Sequence, residues 1–124
     1  MRQFIAVLVS VSIAFAGAVS ADAGSPFLDP IYGVDIANDV LYGSGAVSGG
    51  SIDLYLDIYQ PTDIGGGAVP ELSPAVVIQH GGAWTSGDKG DGYTPATFLA
   101  SYGFTVLSPQ YRLSGDNPIP SAGK

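Results

Sequence analysis

Pro74-Ala75-Val76-Val77-Ile78-Gln79-His80-Gly81-Gly82-Ala83-Trp84 is the stretch on which the fold turns. Its first half is apolar and β-branched, bounded by Pro and Gly, the pattern of a buried strand. The run then empties into His-Gly-Gly. Glycine has no Cβ, so the backbone there can turn tightly and expose its N–H groups. A strand that ends in such a turn can aim backbone donors at an oxygen that becomes negative during a reaction.

Outward from this stretch the chain reads as alternating strand and helix signals. Val34 to Tyr42 is expected to form a first strand, ended by Gly43-Ser44-Gly45, with Ser48-Gly49-Gly50 as a turn. Ser51 to Tyr59 alternates with period two. Ile52, Leu54, Leu56 and Ile58 share one face, and Asp53, Tyr55, Asp57 and Tyr59 share the other, the mark of a half-exposed strand. Two such strands across a Gly-rich turn predict an antiparallel hairpin. Pro61 to Pro74 reads as a loop with Gly65-Gly66-Gly67 at its tip, and Ser86 to Gly92 as a second flexible piece. Thr94-Pro95 predicts a helix start, with Thr94 as N-cap. The helix is expected to run to Tyr102 and to stop at Gly103, with Phe98, Leu99 and Tyr102 packed on the sheet. Phe104 to Ser108 is the next strand. Strand, helix and strand in this short span predict a βαβ unit with parallel strands and a right-handed crossover.

Four segments in order carry a resemblance to a known superfamily. His80-Gly81-Gly82-Ala83 resembles the HGGG-type loop of α/β-hydrolases on their esterase and lipase side. Leu54-Tyr55-Leu56-Asp57-Ile58-Tyr59-Gln60-Pro61 resembles the strand that precedes that loop. Phe98-Leu99-Ala100-Ser101-Tyr102-Gly103-Phe104-Thr105-Val106-Leu107 resembles the helix-to-strand passage that follows it. Gln110-Tyr111-Arg112-Leu113 resembles the D-Y-R-L segment, with Gln110 where Asp is usual. The resemblance implies the N-terminal part of an α/β-hydrolase fold, an antiparallel hairpin leading into a parallel βαβ sheet, with the Phe104 strand between the Ile52 and Val76 strands. It implies that Gly82 and Ala83 supply oxyanion-hole N–H groups, Ala83 keeping a negative φ, and that His80, Gly81 and Trp84 support the loop. Trp84 is expected to pack against the loop base, with lining of the acyl pocket as the alternative, and Tyr111-Arg112 to form a buried structural pair.

In this superfamily the catalytic residues run Ser, then Asp or Glu, then His. His80 is the chain's one histidine, and its place before any nucleophile elbow makes it a residue that shapes the loop. No G-x-S-x-G occurs in the 124 residues. An α/β-hydrolase takes about twice this length. The expectation is therefore an incomplete fold, the front part of a serine carboxylic-ester hydrolase acting on a small-molecule ester. On that reading the chain holds the oxyanion loop without nucleophile, acid or base, and is inactive alone. The competing readings are a secreted, non-enzymatic β-rich binding or surface module, which predicts no βαβ unit, and a degraded inactive homologue.

Other features narrow the function. Eleven acids against four bases give a formal net charge of -7, which opposes binding to nucleic acid and to anionic membranes. No cysteine is present, so neither disulfides nor thiolate chemistry is expected. Gly82 to Lys89 fails as a phosphate loop: Asp88 intrudes before the Lys, and no Ser or Thr follows it. Asp88, Gly90 and Asp91 offer too few oxygens for calcium. No metal and no cofactor is expected. The N-terminus carries Arg2, an apolar run from Phe4 to Val19 and small residues to Ala23. This is the layout of a secretory signal peptide cleaved after Ala21 or Ala23, predicting a secreted or periplasmic protein without stable membrane association. The competing reading, a retained membrane anchor, is disfavoured by an apolar run a little short for a span and rich in Ala, Ser and Gly. Residues 1–23 are thus a signal, 24–33 a tether and 34–124 the N-terminal portion of the hydrolase domain.

Overall fold

The computed structural model describes residues 24–47, 49–65 and 68–116. The expected signal peptide, the turn residue Ser48, the loop tip at Gly66-Gly67 and the segment from Asn117 lie outside the described residues. One four-stranded sheet forms the frame, in the order β1 (Gly33–Val47), β2 (Gly50–Thr62), β4 (Thr105–Pro109), β3 (Ala75–Val77). β1 and β2 pair antiparallel as the expected hairpin. β4 lies antiparallel to β2 and parallel to β3, so it sits between them as the resemblance implies. Helix α1 (Tyr93–Ser101) joins the two parallel strands.

The hairpin runs further than the glycines suggest. Gly43, Ser44 and Gly45 stay in β1, paired with Leu54, Asp53 and Ile52. Register shifts between Ala37 and Val40 and between Leu41 and Gly43 absorb the irregularity. Asp39 sits in the first of these with φ +56°, a left-handed conformation that Asp tolerates better than most residues.

Helix α1 lies over the end of β2 that carries Asp57 and Tyr59 and buries both, whereas Asp53 and Tyr55, earlier on the same face, are exposed. Tyr59 is 1% exposed and forms the core with Ala96, Ala100 and Val106, the last three fully buried. Val106 is the register partner of Tyr59 and Ser108 that of Asp57, so all four share this face. Small side chains, not the expected aromatics, make the helix side of the contact. Ala96 and Ala100 let the helix approach the sheet, while Phe98 is exposed and leans on Tyr102 at 4.9 Å. Leu99 packs against the core as expected.

The start of the helix also differs. A 3-10 turn over Lys89–Gly92 leads directly into Tyr93, so Thr94 and Pro95 fall inside the first turn rather than at its cap. Asp88 caps the 3-10 turn: its carboxylate accepts from the Gly90 N–H at 2.7 Å, and the Asp91 carboxylate accepts from the Asp88 N–H at 3.0 Å, while α1 itself follows Gly92 without a side-chain cap. This reciprocal box fixes a segment expected to be flexible. At the other end Gly103 has φ +103°. Its N–H bonds Ala100 O, and the Phe104 N–H bonds Leu99 O, the Schellman pattern that favours glycine at this place.

The stretch expected to be a tether is packed. The Phe27 and Tyr32 N–H groups donate to the Tyr102 and Ser101 carbonyls. Tyr32 is buried, and Phe27 meets Phe104 edge-on at 5.1 Å.

Candidate oxyanion loop

Parallel neighbours place the C-terminal ends of β3 and β4 side by side, so the segments leaving them share one edge of the sheet. Ile78 still pairs with Leu107 through its N–H at 2.9 Å. Gln79 to Trp84 then leave β3 beside Tyr111, which follows β4. The Tyr111 hydroxyl donates to the carbonyls of His80 at 3.0 Å and Gly81 at 3.1 Å. Its ring stacks on the His80 imidazole with centroids 4.2 Å apart and planes 10° from parallel.

The His80 ring contacts the backbone of the turn. Its Nδ1 lies 2.8 Å from Gly81 O. A carbonyl only accepts, so Nδ1 carries the proton. Nε2 is buried and has no hydrogen-bond partner among the described residues. Gly87, at φ +105°, passes so close to this ring that a Cβ there would fall on Nδ1 and on Gly81 O. Gly82 is equally constrained: at φ +105° its Cβ would collide with Ser86 O.

Ala83 and Trp84 have φ of +50° and +61°, against the expectation that φ at Ala83 stays negative. The reason is the turn they occupy. Gly82 O accepts the Thr85 N–H at 2.9 Å, and two positive φ values between such partners mark a type I′ turn. For residues with a Cβ this conformation costs about 1–2 kcal/mol each, strain of the kind that collects at functional sites. Gly82 O also accepts from the Ser86 N–H at 3.2 Å and the Thr85 hydroxyl at 2.9 Å.

The carbonyls of His80, Gly81 and Gly82 are therefore all held. No peptide here is cis, and in a trans peptide the N–H points opposite to the C=O. Holding Gly81 O fixes the direction of the Gly82 N–H, and holding Gly82 O fixes that of Ala83. Neither N–H has an acceptor among the described residues. A cavity of about 350 Å³ opens beside the loop, lined by Gln79, His80, Gly81, Ala83, Trp84 and Tyr111. Four of the five sequence-predicted loop residues are on its wall; Gly82 is not. Trp84 is 63% exposed rather than packed under the loop, and its carbonyl accepts the Ser114 N–H at 2.7 Å.

Gln79 and Tyr111 are the residues that sequence reasoning missed. Tyr111 was expected to pair with Arg112 in the interior. It is half-buried and serves the loop, while Arg112 is exposed and donates to Ala46 O. The parallel arrangement of the two strands was the signal that places residues after β4 beside residues after β3.

The far end of the loop is anchored by Lys89. Its Nζ meets Asp57 Oδ1 at 2.7 Å and Asp39 Oδ1 at 3.0 Å. Its N–H donates to Gln110 Oε1 at 2.9 Å, and its carbonyl accepts from Ser108 Oγ at 2.6 Å. Burial alone would lower the lysine's pKa, but the hydrogen bonds to Asp57 and Asp39 outweigh it and raise the value above 10.5.

No curated protein and no solved structure matches the chain. A family model, BD-FAE, matches residues 56–124, more than half of the chain, and the match spans the β2 end, the loop, α1 and β4. The chain belongs to the BD-FAE family, a family associated with α/β-hydrolase-like esterases.

Proposed function

We propose that this chain carries the oxyanion loop of an exported serine carboxylic-ester hydrolase, with the Gly82 and Ala83 N–H groups as donors to the tetrahedral intermediate. The observation that carries the reading is the pair of N–H groups without acceptors among the described residues, on a strained turn whose carbonyls are all engaged elsewhere. As an ester carbonyl is attacked, negative charge grows on its oxygen. Donors already aimed at that position stabilise it without reorganising, and losing one typically costs about 100- to 1,000-fold in kcat. The 124 residues contain no G-x-S-x-G serine, so on this reading the 124 residues by themselves are silent toward esters. The parallel β3–β4 pair joined by α1 is the unit that the competing binding-module reading excludes.

The test is hydrolysis of a short-chain aryl ester by the full-length natural protein, with and without a serine-directed phosphonate. Turnover that the phosphonate abolishes is expected. No turnover above a buffer blank, or turnover indifferent to the phosphonate, would sink the proposal. Export rests on the N-terminal sequence alone. Mass spectrometry of the exported protein is expected to find Asp22 or Gly24 as the first residue, and an intact Met1 would exclude a cleaved signal.

A further inference from the structure

The donor arrangement has one weak point, the peptide between Gly81 and Gly82. Neither residue has a Cβ, so rotation of this peptide meets little steric resistance. A half-turn would exchange its two ends. Gly81 O, a partial negative charge, would then point where the Gly82 N–H now points, and an anion would meet repulsion in place of a donor. Two donors on one side oppose that rotation. One is the Nδ1–H of His80, at 2.8 Å from Gly81 O. The other is the Tyr111 hydroxyl at 3.1 Å, which also holds the preceding carbonyl, His80 O, at 3.0 Å. The His80 ring is itself oriented by its stack on the Tyr111 ring and by Gly87 against its edge. Both restraints on the peptide therefore run through Tyr111.

We propose that Tyr111 is a positioning residue that holds the Gly81–Gly82 peptide with its N–H, rather than its carbonyl, toward the oxyanion position. The inference rests on the oxyanion reading for its catalytic consequence, but the peptide orientation can be read without any turnover. Tyr111→Phe is the informative variant because it keeps the ring stacked on His80 and deletes only the shared hydroxyl. Tyr32→Phe is the control. It removes another tyrosine-to-carbonyl bond, Tyr32 to Ala68 O at 3.4 Å, away from the loop.

Two measurements on the full-length natural protein decide the matter. In protein labelled with 15N-glycine and 15N-alanine, the Gly82 and Ala83 amide signals should be single in the parent and in Tyr32→Phe. They should double or broaden in Tyr111→Phe. In ester hydrolysis, Tyr111→Phe should lose roughly 10- to 100-fold in kcat, less than outright removal of a donor, with KM within about twofold because a contact made only in the transition state leaves ground-state binding alone. Unchanged Gly82 and Ala83 signals in Tyr111→Phe would overturn the proposal whatever the kinetics. An increase in KM with kcat preserved would overturn it as well, since that assigns Tyr111 to substrate binding. Altered signals in a protein that hydrolyses no ester would leave the positioning role standing and remove the esterase reading instead.

Discussion

Lys89 and Asp57 meet in the interior with Nζ 2.7 Å from Oδ1, the lysine side chain 16% exposed and the aspartate 5%. They join the 3-10 turn that closes the loop to the strand that bears the core tyrosine. Asp39 completes the group from the bulge of β1, but its side chain is 72% exposed.

That asymmetry sets the first expectation. Lys89→Met strands the buried Asp57 carboxylate, leaving it among the described residues with only the Asp39 N–H at 3.0 Å, and should cost about 3–5 kcal/mol. Asp39→Asn removes an exposed arm worth about 0–1 kcal/mol and keeps a residue that tolerates φ +56°. Urea unfolding of the two variants checks this, and equal losses would contradict the division of roles.

Alkaline pH should loosen the same region. Lys89 is raised above its ordinary 10.5 despite burial, through its bonds to Asp57 and Asp39. Tyr59 is raised above its ordinary 10.0, first by burial and then by the Asp57 carboxylate. For both groups the folded state holds its proton more tightly than the unfolded chain. The stabilisation is complete below the unfolded pKa and fades as pH climbs through the folded value. Melting temperature should be flat near neutrality and fall from about pH 10 upward, with a shallower fall in Lys89→Met.

The loop glycines should separate sharply. Gly82→Ala and Gly87→Ala place a Cβ on occupied space at φ +105° and should lose about 100-fold or more in ester turnover, on the scale of a lost donor. Gly81 has open space around its Cβ position, so Gly81→Ala should leave the melting temperature unchanged. Proline at position 82 is a poor probe of the N–H, because its fixed φ near −65° cannot meet +105° and would rebuild the turn. Calorimetry together with the aryl-ester assay measures both effects.

Under α1, enlarging the alanines should hurt more than trimming the aromatic. Ala96→Leu or Ala100→Leu overfills a site with no exposed surface and should cost about 1–3 kcal/mol. Phe98, 59% exposed, should lose under about 1 kcal/mol on change to Ala, as surface substitutions do. The opposite order in thermal unfolding would mean that the helix packs through its aromatic face.

Much of this architecture is legible in the residues. Ala75 to Val77 as a strand, Gly103 as a helix stop and the hairpin all follow from local chemistry that the structure repeats, although β3 lies at the sheet edge with Val77 63% exposed and is not the buried strand that its apolar run suggests. What escapes local reading is which face of a pattern turns inward. The alternation in β2 is plain, yet it does not tell that the polar face turns inward at Asp57 and Tyr59, where Asp57 has Lys89 as a buried partner and Tyr59 has two alanines to lie against. Asp88-Lys89-Gly90-Asp91 hides a capping box behind glycines that read as slack. At the loop, Gly82 and Ala83 stand out by motif, whereas Tyr111 acts across a separation of 31 residues from His80 that only the parallel pairing closes.

Arg112 gives the long hairpin a consequence beyond its own stability. Its guanidinium reaches Ala46 O across 66 residues of sequence, and its side chain lies over Gly45, where any Cβ would collide with it. Arg112 is covalently next to Tyr111. The hairpin end is thus a remote handle on the loop: a substitution at Gly45, touching nothing near the cavity, displaces the residue beside the one that holds His80 and Gly81. Sequence variants of this family at that glycine should therefore be read as candidates for altered chemistry, and not only for altered folding.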